Sequence, residues 1–259
     1  MPTYDLLVQI LNNVTGKQIR NVSSIAGNIM TGSPISDLNP ILMAAGTTLN
    51  LASENKSRNV LFNDQFYTGY RKTCLESNEI LVSVCIPYTK ENEYFIAYKQ
   101  ARRREDDIAI VNGAFFYQIQ NGIIERARMA FGGLSFVTKM AKNTSEYLQK
   151  KPWASDTFDT AMSVLLAEIP LPPGVPGAMV KYRQTLALSL LFKSFLSVSD
   201  TSQLHQIGNE EKSVIQTFHK EPLRGSQLYE IVPETQKEHD PLRRPLKHKS
   251  ADKQVTGKK

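Results

Sequence analysis

The Asn121-Gly122 pair in the middle of the chain is the feature that most constrains the fold. Both residues tolerate the positive φ angles that a two-residue hairpin turn of type I′ requires. Runs of β-favouring residues lie on either side of the pair, at 114–120 and 123–130. The sequence therefore predicts two antiparallel strands joined by a tight turn.

Patterns of apolar residues place further elements around this hairpin. Strands are predicted at residues 47–52, 80–86 and 94–99, and helices at 40–45, 144–150, 157–168 and 179–198. The small-residue stretch at 23–39 has no clear period and is predicted to be a loop. The expected fold class is α+β, with an antiparallel sheet backed by helices.

Three parts are expected along the chain. Residues 1–88 contain the small-residue stretch, and residues 92–198 contain the antiparallel sheet and its helices. Residues 199–259 are mostly polar and carry four prolines, so they are predicted to be a linker or a disordered tail.

Cysteine and histidine usage excludes several kinds of site. The only cysteines are Cys74 and Cys85, too few for a disulfide framework or a four-thiolate iron–sulfur cluster. All four histidines lie beyond residue 204. A Ser-His-Asp triad or a histidine-rich zinc site is therefore not expected in the main body, and neither a catalytic residue nor a metal ligand is predicted.

The net charge of +6 does not predict nucleic-acid binding, because the charge lies in one place. Residues 236–259 carry eight lysines and arginines and three acids, a net charge of +5, which leaves about +1 for the rest of the chain. No run approaches the roughly 20 apolar residues of a membrane-spanning helix, and no secretory signal is recognised. We expect a cytoplasmic protein, with a peroxisomal location also open.

The small-residue stretch at 23–39 is the best candidate for a ligand site. Gly27 and Gly32 remove side-chain bulk, so that backbone N–H groups can approach a large anionic or planar ligand. Ser24 and Thr31 add short polar groups, and Asp37 can accept hydrogen bonds. Composition alone leaves two alternatives, a cofactor cradle and the commoner plain connection.

A family resemblance bears on these alternatives. The stretch Ser24-Ile-Ala-Gly-Asn-Ile-Met-Thr-Gly-Ser-Pro-Ile-Ser-Asp-Leu-Asn-Pro40 closely resembles the flavin-contacting loop of the xanthine dehydrogenase and aldehyde oxidase family of molybdenum hydroxylases. Further matches follow in order through nearly the whole chain: Gly-Tyr-Arg-Lys-Thr at 69–73, Lys-Gln-Ala-Arg-Arg-Arg-Glu-Asp-Asp-Ile-Ala at 99–109, Phe-Gly-Gly at 131–133 and Pro-Pro-Gly-Val-Pro-Gly at 172–177. The chain is identified as a member of this family, similar to the C-terminal part of its FAD-binding region.

The resemblance implies a fold and a set of FAD contacts. The implied fold is the second half of a PCMH-type FAD-binding domain, followed by a CO dehydrogenase flavoprotein C-terminal-like domain. Residues 24–28 would line the pyrophosphate and ribityl groups, Leu81 would pack on the adenine or the ring, and Lys99 would lie beside the flavin, before a loop at 100–110 that borders the nicotinamide site. The implied cofactor-binding residues are Ser24, Ile25, Ala26, Gly27, Asn28, Thr31, Asp37, Leu81 and Lys99.

The resemblance also implies a function. The chain would be the FAD-binding part of a xanthine dehydrogenase-type oxidoreductase that passes electrons from reduced flavin to NAD. The full-length family also holds molybdopterin and two [2Fe–2S] clusters and forms homodimers; we do not expect this chain to bind those groups or to run the full reaction alone. Two alternatives stay open: an aldehyde oxidase-like flavoprotein that uses O₂, and a non-catalytic remnant that no longer binds flavin.

Overall fold

The computed structural model describes residues 16–103, 107–169, 171, 177–216, 230–244 and 246–256. Part of the predicted 100–110 loop and most of the Pro/Gly-rich match at 172–177 therefore lie outside the described residues. The chain divides into two compact units, Met1–Gln216 and Thr217–Lys259. Among the described residues, no helix has both the length and the apolar character needed to cross a membrane.

The first part of the larger unit combines short helices with a small antiparallel sheet. Its elements are α1 (Lys17–Arg20), α2 (Ile25–Thr31), α3 (Asn39–Ala45), β1 (Thr48–Ala52), β2 (Ser57–Leu61), β3 (Tyr67–Gly69), β4 (Lys72–Thr73) and β5 (Ile80–Cys85). The strand order of the sheet is β2-β1-β5, and β3 pairs with β4 in a separate hairpin. The predicted helix at 40–45 and the strands at 47–52 and 80–86 are confirmed to within a residue or two.

The stretch at 23–39 is not simply a loop, because it contains helix α2. Ser24 has an extended backbone and caps the helix, its Oγ accepting the N–H of Gly27 at 3.0 Å. Gly32 ends the helix in the left-handed region, with φ 59°. The serine and the glycine that favoured a loop in the sequence are the two cap residues of a short helix.

The second part is built on a four-stranded antiparallel sheet. Its strands are β6 (Glu93–Ala101), β7 (Ala109–Gln120), β8 (Ile123–Gly132) and β9 (Lys139–Met140), hydrogen-bonded in that order. The predicted hairpin is confirmed: β7 and β8 pair along their length, and both turn residues have positive φ, 51° at Asn121 and 74° at Gly122.

Helices follow the sheet along the chain. They are α4 (Lys142–Leu148), α5 (Ser155–Glu168), α6 (Val180–Ser202) and α7 (Asn209–Ile215); the smaller unit contains α8 (Ala251–Thr256). The predicted helices are present with shifted ends. The structure differs from the predicted tail after residue 198, because α6 continues to Ser202, Ser199 accepts a hydrogen bond from the Trp153 indole, and Ile207 is buried in the core.

The four-stranded sheet lies between two hydrophobic cores, and its strands alternate accordingly. One face packs on α5 and α6 through a cluster that includes Phe115, Tyr117 and Phe131. The other, here called the α3 face, packs on α3 and β1 through Phe95 and Phe116. The α3 face contains one row of residues from each long strand. The rows are Glu93, Phe95, Ala97 and Lys99 of β6, Gln118, Phe116, Ala114 and Asn112 of β7, and Arg126, Arg128, Ala130 and Gly132 of β8. The α+β fold class is confirmed.

Candidate functional site

The first turn of α2 offers hydrogen-bond donors at the surface. Ser24, Ile25 and Gly27 are exposed, and Ala26 is half-buried. Only the Gly27 amide is capped by the Ser24 side chain, and the amides of Ile25 and Ala26 have no partner within the described part of the chain. Free N–H groups at the start of a helix favour a negatively charged ligand.

Gly27 keeps this turn open. Within 4 Å, and among the described residues, a Cβ added there would meet only the Ser24 Oγ, at 3.0 Å. Because Cα–Cβ bonds in a helix tilt toward its N-terminus, a larger side chain at this position would lean over the free amides. Thr31 is also exposed, but its hydroxyl donates to the Gly27 carbonyl at 2.7 Å.

Asn28 faces the protein instead of the surface. Its Nδ2 donates to the Asn39 Oδ1 at 3.0 Å, and its Oδ1 accepts from the Ser36 Oγ at 3.0 Å. Asn39 is fully buried and donates in turn to the Tyr67 hydroxyl at 2.8 Å. The Asn28 side chain is therefore used to fix α2 against the following turn.

Asp37 and Lys99 form a nearly buried ion pair. The Lys99 Nζ lies 2.7 Å from the Asp37 Oδ2, and the two side chains are only 11% and 12% exposed. Asn112 on β7 donates through its Nδ2 to the Ser36 carbonyl at 2.9 Å and to the Asp37 Oδ1 at 3.4 Å. Burial raises the pKa of Asp37 above its ordinary value, an effect that the hydrogen bond and charge of Lys99 only partly offset.

These contacts join α2 to the end of β6 in one network. Hydrogen bonds run from Asn28 through Ser36 and Asn112 to Asp37 and Lys99. Three of the residues predicted from the sequence are thereby linked across two distant stretches of the chain.

Leu81 lies at the sheet beside α2. It is half-buried on β5, opposite Leu51 of β1, and packs against the same hydrophobic cluster as Ile29 of α2. Leu81 thus borders the same part of the fold as the open helix turn.

The segment after Lys99 has an irregular start. The pairing of β6 with β7 shifts register between Gln100 and Ala101. Asp107 then accepts the backbone N–H groups of Arg103 and Ile108, and these hydrogen bonds lower the pKa of its carboxyl group. Residues 104–106, between these points, lie outside the described residues.

The sequence prediction did not include Ser36 and Asn112, which hold the network together. Asn112 is the only residue with an amide side chain among residues 109–117 of β7. This single amide within a mostly apolar strand is the signal that could have identified it. Its Oδ1 is buried without a partner in the described structure and lies against Gly132, where a Cβ would approach it to 2.2 Å. No cluster of three or more potential metal-ligating side chains occurs among the residues described.

Two family models match the chain. The model of the FAD binding domain in molybdopterin dehydrogenase matches residues 2–89, and that of the CO dehydrogenase flavoprotein C-terminal domain matches residues 96–198. The family implies FAD as cofactor, with molybdopterin and iron–sulfur clusters in its full-length members.

Curated relatives and a solved structure agree with these matches. Xanthine dehydrogenase of Calliphora vicina is 42% identical over 268 residues, covering 98% of this chain, and xanthine dehydrogenase/oxidase of Gallus gallus is 43% identical over 253 residues, covering 93%. The chain spans about one fifth of their lengths, 20% and 19%. A carbon monoxide dehydrogenase chain from Hydrogenophaga pseudoflava, 22% identical, shares the fold with a TM-score of 0.66 over 72% of this chain and 64% of its own. The chain belongs to the xanthine dehydrogenase family of molybdenum hydroxylases and corresponds to the C-terminal part of its flavin-binding region.

Proposed function

We propose that this chain forms one side of an FAD cleft, in which helix α2 binds the anionic part of the cofactor and the Asp37–Lys99 pair lies beside its ring. The observation that supports this best is the hydrogen-bond network from Asn28 to Lys99, because it fixes the open helix turn and the ion pair relative to each other.

The residues present suit such a cofactor. The free amides of Ile25 and Ala26 provide donors for a pyrophosphate, and Gly27 leaves space in front of them. Asp37 provides an acceptor for a ring or ribityl donor, and Lys99 provides a cation beside it. Thr31 and Leu81 contact FAD at the edge of the same cleft.

FAD supplies hydride-transfer chemistry when it is bound. The chain's own residues bind and orient the cofactor, and the nearly buried Lys99 ammonium keeps a positive charge where the ring would gain electron density. We propose NAD as the electron acceptor. The relatives named above, a xanthine dehydrogenase and a xanthine dehydrogenase/oxidase, support a xanthine dehydrogenase type over the aldehyde oxidase-like alternative.

Thermal unfolding of the full 259-residue chain with added FAD tests the proposal. A ligand that binds only the folded state at a hundred times its Kd adds about 2.7 kcal/mol to the free energy of unfolding, so the Tm should rise with FAD concentration. We expect the Gly27→Val variant to fold with the Tm of the parent chain and to lose this rise, because valine covers the helix amides.

Gly208→Val is the matched control. Gly208 is exposed, has a negative φ and stands at the start of another short helix, α7, so it accepts the same side chain away from the cleft. The control should keep the full rise in Tm with FAD. A parent chain that folds but shows no such rise would contradict the proposal and favour the non-catalytic alternative.

The acceptor is tested on the FAD-loaded chain. Because hydride transfer between a nicotinamide and a flavin is reversible, NADH added without air should bleach the visible flavin absorbance. A loaded chain that NADH leaves coloured, but that air reoxidises after chemical reduction, would favour O₂ as the acceptor.

A further inference from the structure

A cavity lies at the opposite end of the α3 face from Lys99. Lys99 and Glu93 are six residues apart on β6, a separation of about 20 Å. Beside Glu93, a cavity of about 450 Å³ opens between the sheet and the first part of the chain. This volume falls within the range of small-molecule pockets. The residues that matter for its chemistry are Arg126, Arg128, Lys90, Phe116, Met140 and Leu61.

Arg128 presents a fixed guanidinium to this cavity. Its Nε donates to the Ala44 carbonyl at 2.7 Å and its Nη2 to the Ala45 carbonyl at 3.0 Å, so it caps the C-terminal end of α3. Its Nη1 has no hydrogen-bond partner in the described part of the chain, and a Cβ at Gly46 would lie 3.1 Å from it. One donor of a rigidly held arginine is therefore left for a ligand.

The charges around the cavity do not balance. Arg126 precedes Arg128 by two residues on β8, so the two cations share one face of the strand. Arg126 is exposed and forms no ion pair with any residue that the structure describes. Lys90 adds a third cation, whereas Glu93 is the only acid among the lining residues that the structure describes. Burial and the neighbouring Arg126 lower the pKa of Arg128 to about 10, and the charge of Glu93 offsets this only in part.

The wall of the cavity beside these cations is apolar. The Arg128 guanidinium lies over the Phe116 ring, and its carbon is 4.1 Å from the ring centroid. Met140 is half-buried and Leu61 is 56% exposed, so both offer apolar surface to a ligand. Apolar walls with a few converging polar groups are typical of small-molecule sites.

We propose that this cavity binds an aromatic carboxylate, with its ring against Met140 and Leu61 and its oxygens between Arg126 and the free Nη1 of Arg128. A planar carboxylate matches guanidinium donors in geometry and charge, and a ring matches the apolar wall. The site is distinct from the FAD cleft, because it lies about 20 Å away along β6, at the other end of the α3 face.

The test is a calorimetric titration of the full chain with three probes. Benzoate carries both the ring and the charge, benzyl alcohol carries only the ring, and inorganic phosphate carries only charge. Benzoate should bind at least about tenfold more tightly than either other probe. Arg126→Gln should weaken benzoate binding about tenfold, because one charge-assisted hydrogen bond is lost. Since Arg126 is exposed, the variant should keep the parent Tm.

Lys56→Gln is the control for loss of one positive charge. Lys56 is exposed in the turn between β1 and β2, at the far end of that hairpin from Leu61, and its substitution should leave benzoate binding unchanged. Equal affinities for benzoate and benzyl alcohol, or an Arg126→Gln variant that binds benzoate as well as the parent chain, would overturn the proposal.

Discussion

The two ends of the α3 face carry buried or half-buried cations in opposite situations. At one end, Lys99 is paired with Asp37 at 2.7 Å, and Asn112 holds the carboxylate from the other side. At the other end, Arg128 donates to helix carbonyls and has Arg126 as its neighbour, without an acid in ion-pair distance among the described residues.

At the Lys99 end the protein supplies its own counter-ion, whereas at the Arg128 end it does not. A nearly buried charge is stable only with compensation, which Asp37 provides to Lys99. Around Arg128, compensation comes from carbonyl dipoles, the Phe116 ring and the charge of Glu93, which lies beyond ion-pair distance and leaves room for an external anion. The first end therefore suits the proposed border of a cofactor cleft, and the second suits the proposed anion site.

The largest expected effect on stability comes from the buried apolar residues between the two ends of the α3 face. Phe116 is 5% exposed and packs edge-to-face on Phe95 with ring centroids 6.2 Å apart. Phe116→Ala should lower the free energy of unfolding by about 4 kcal/mol, because it removes a buried ring and leaves a cavity. Denaturant unfolding measures this loss. A loss below about 1 kcal/mol would mean that the two ends are not joined by a packed core.

Removal of the cation at the paired end should have the next largest effect. Lys99→Met leaves the Asp37 carboxylate nearly buried without its ammonium, and should cost about 3 kcal/mol at neutral pH. Because Lys99 lowers the pKa of Asp37, its removal should raise that pKa further, and the cost should shrink in acid. Denaturant unfolding at neutral and acidic pH measures both effects, and a cost independent of pH would contradict the pairing.

Removal of Arg128 should lower the free energy of unfolding less than removal of Lys99. Arg128→Met loses two charge-assisted hydrogen bonds to α3 but relieves repulsion from Arg126, so we expect a loss of about 2 kcal/mol. Arg126→Met, at an exposed position, is the matched control and should change stability little. If the two variants unfold alike, Arg128 does not cap the helix.

The smallest expected effect is a pH dependence of the stability that Asp37 contributes. Since the pKa of Asp37 is raised in the folded state, its contribution to stability is fully present below its ordinary value of 3.8 and is lost as pH rises through the raised pKa. The stability of the parent chain relative to Asp37→Asn should therefore fall with rising pH across that window. Chemical unfolding of both chains at several acidic pH values measures it; a difference that grows with pH would show that Lys99 outweighs burial.

Local signals in the sequence predicted much of the fold. Asn121-Gly122 fixed the central hairpin because a turn of this type depends on two adjacent residues. Helix α2 was missed although its caps, Ser24 and Gly32, are also local, because both residue types occur in loops as well.

The contacts that assemble the candidate site could not be predicted from local patterns. The hydrogen bond from Asn112 to Asp37 joins residues 75 positions apart, and it exists only because β7 packs beside the turn that follows α2. The Arg-Ala-Arg stretch at 126–128 did place two cations on one face of a predicted strand. Which core that face would meet depended on the packing of the whole sheet.

The most direct test of the account is an amide NMR titration of the chain with FAD. The largest shifts should occur at the backbone amides of Ile25 and Ala26 and at the Asn112 side chain, with no change at the Arg126 side chain. Shifts concentrated at Arg126 and Arg128, with the α2 amides unmoved, would contradict the placement of the cofactor at the paired end of the sheet.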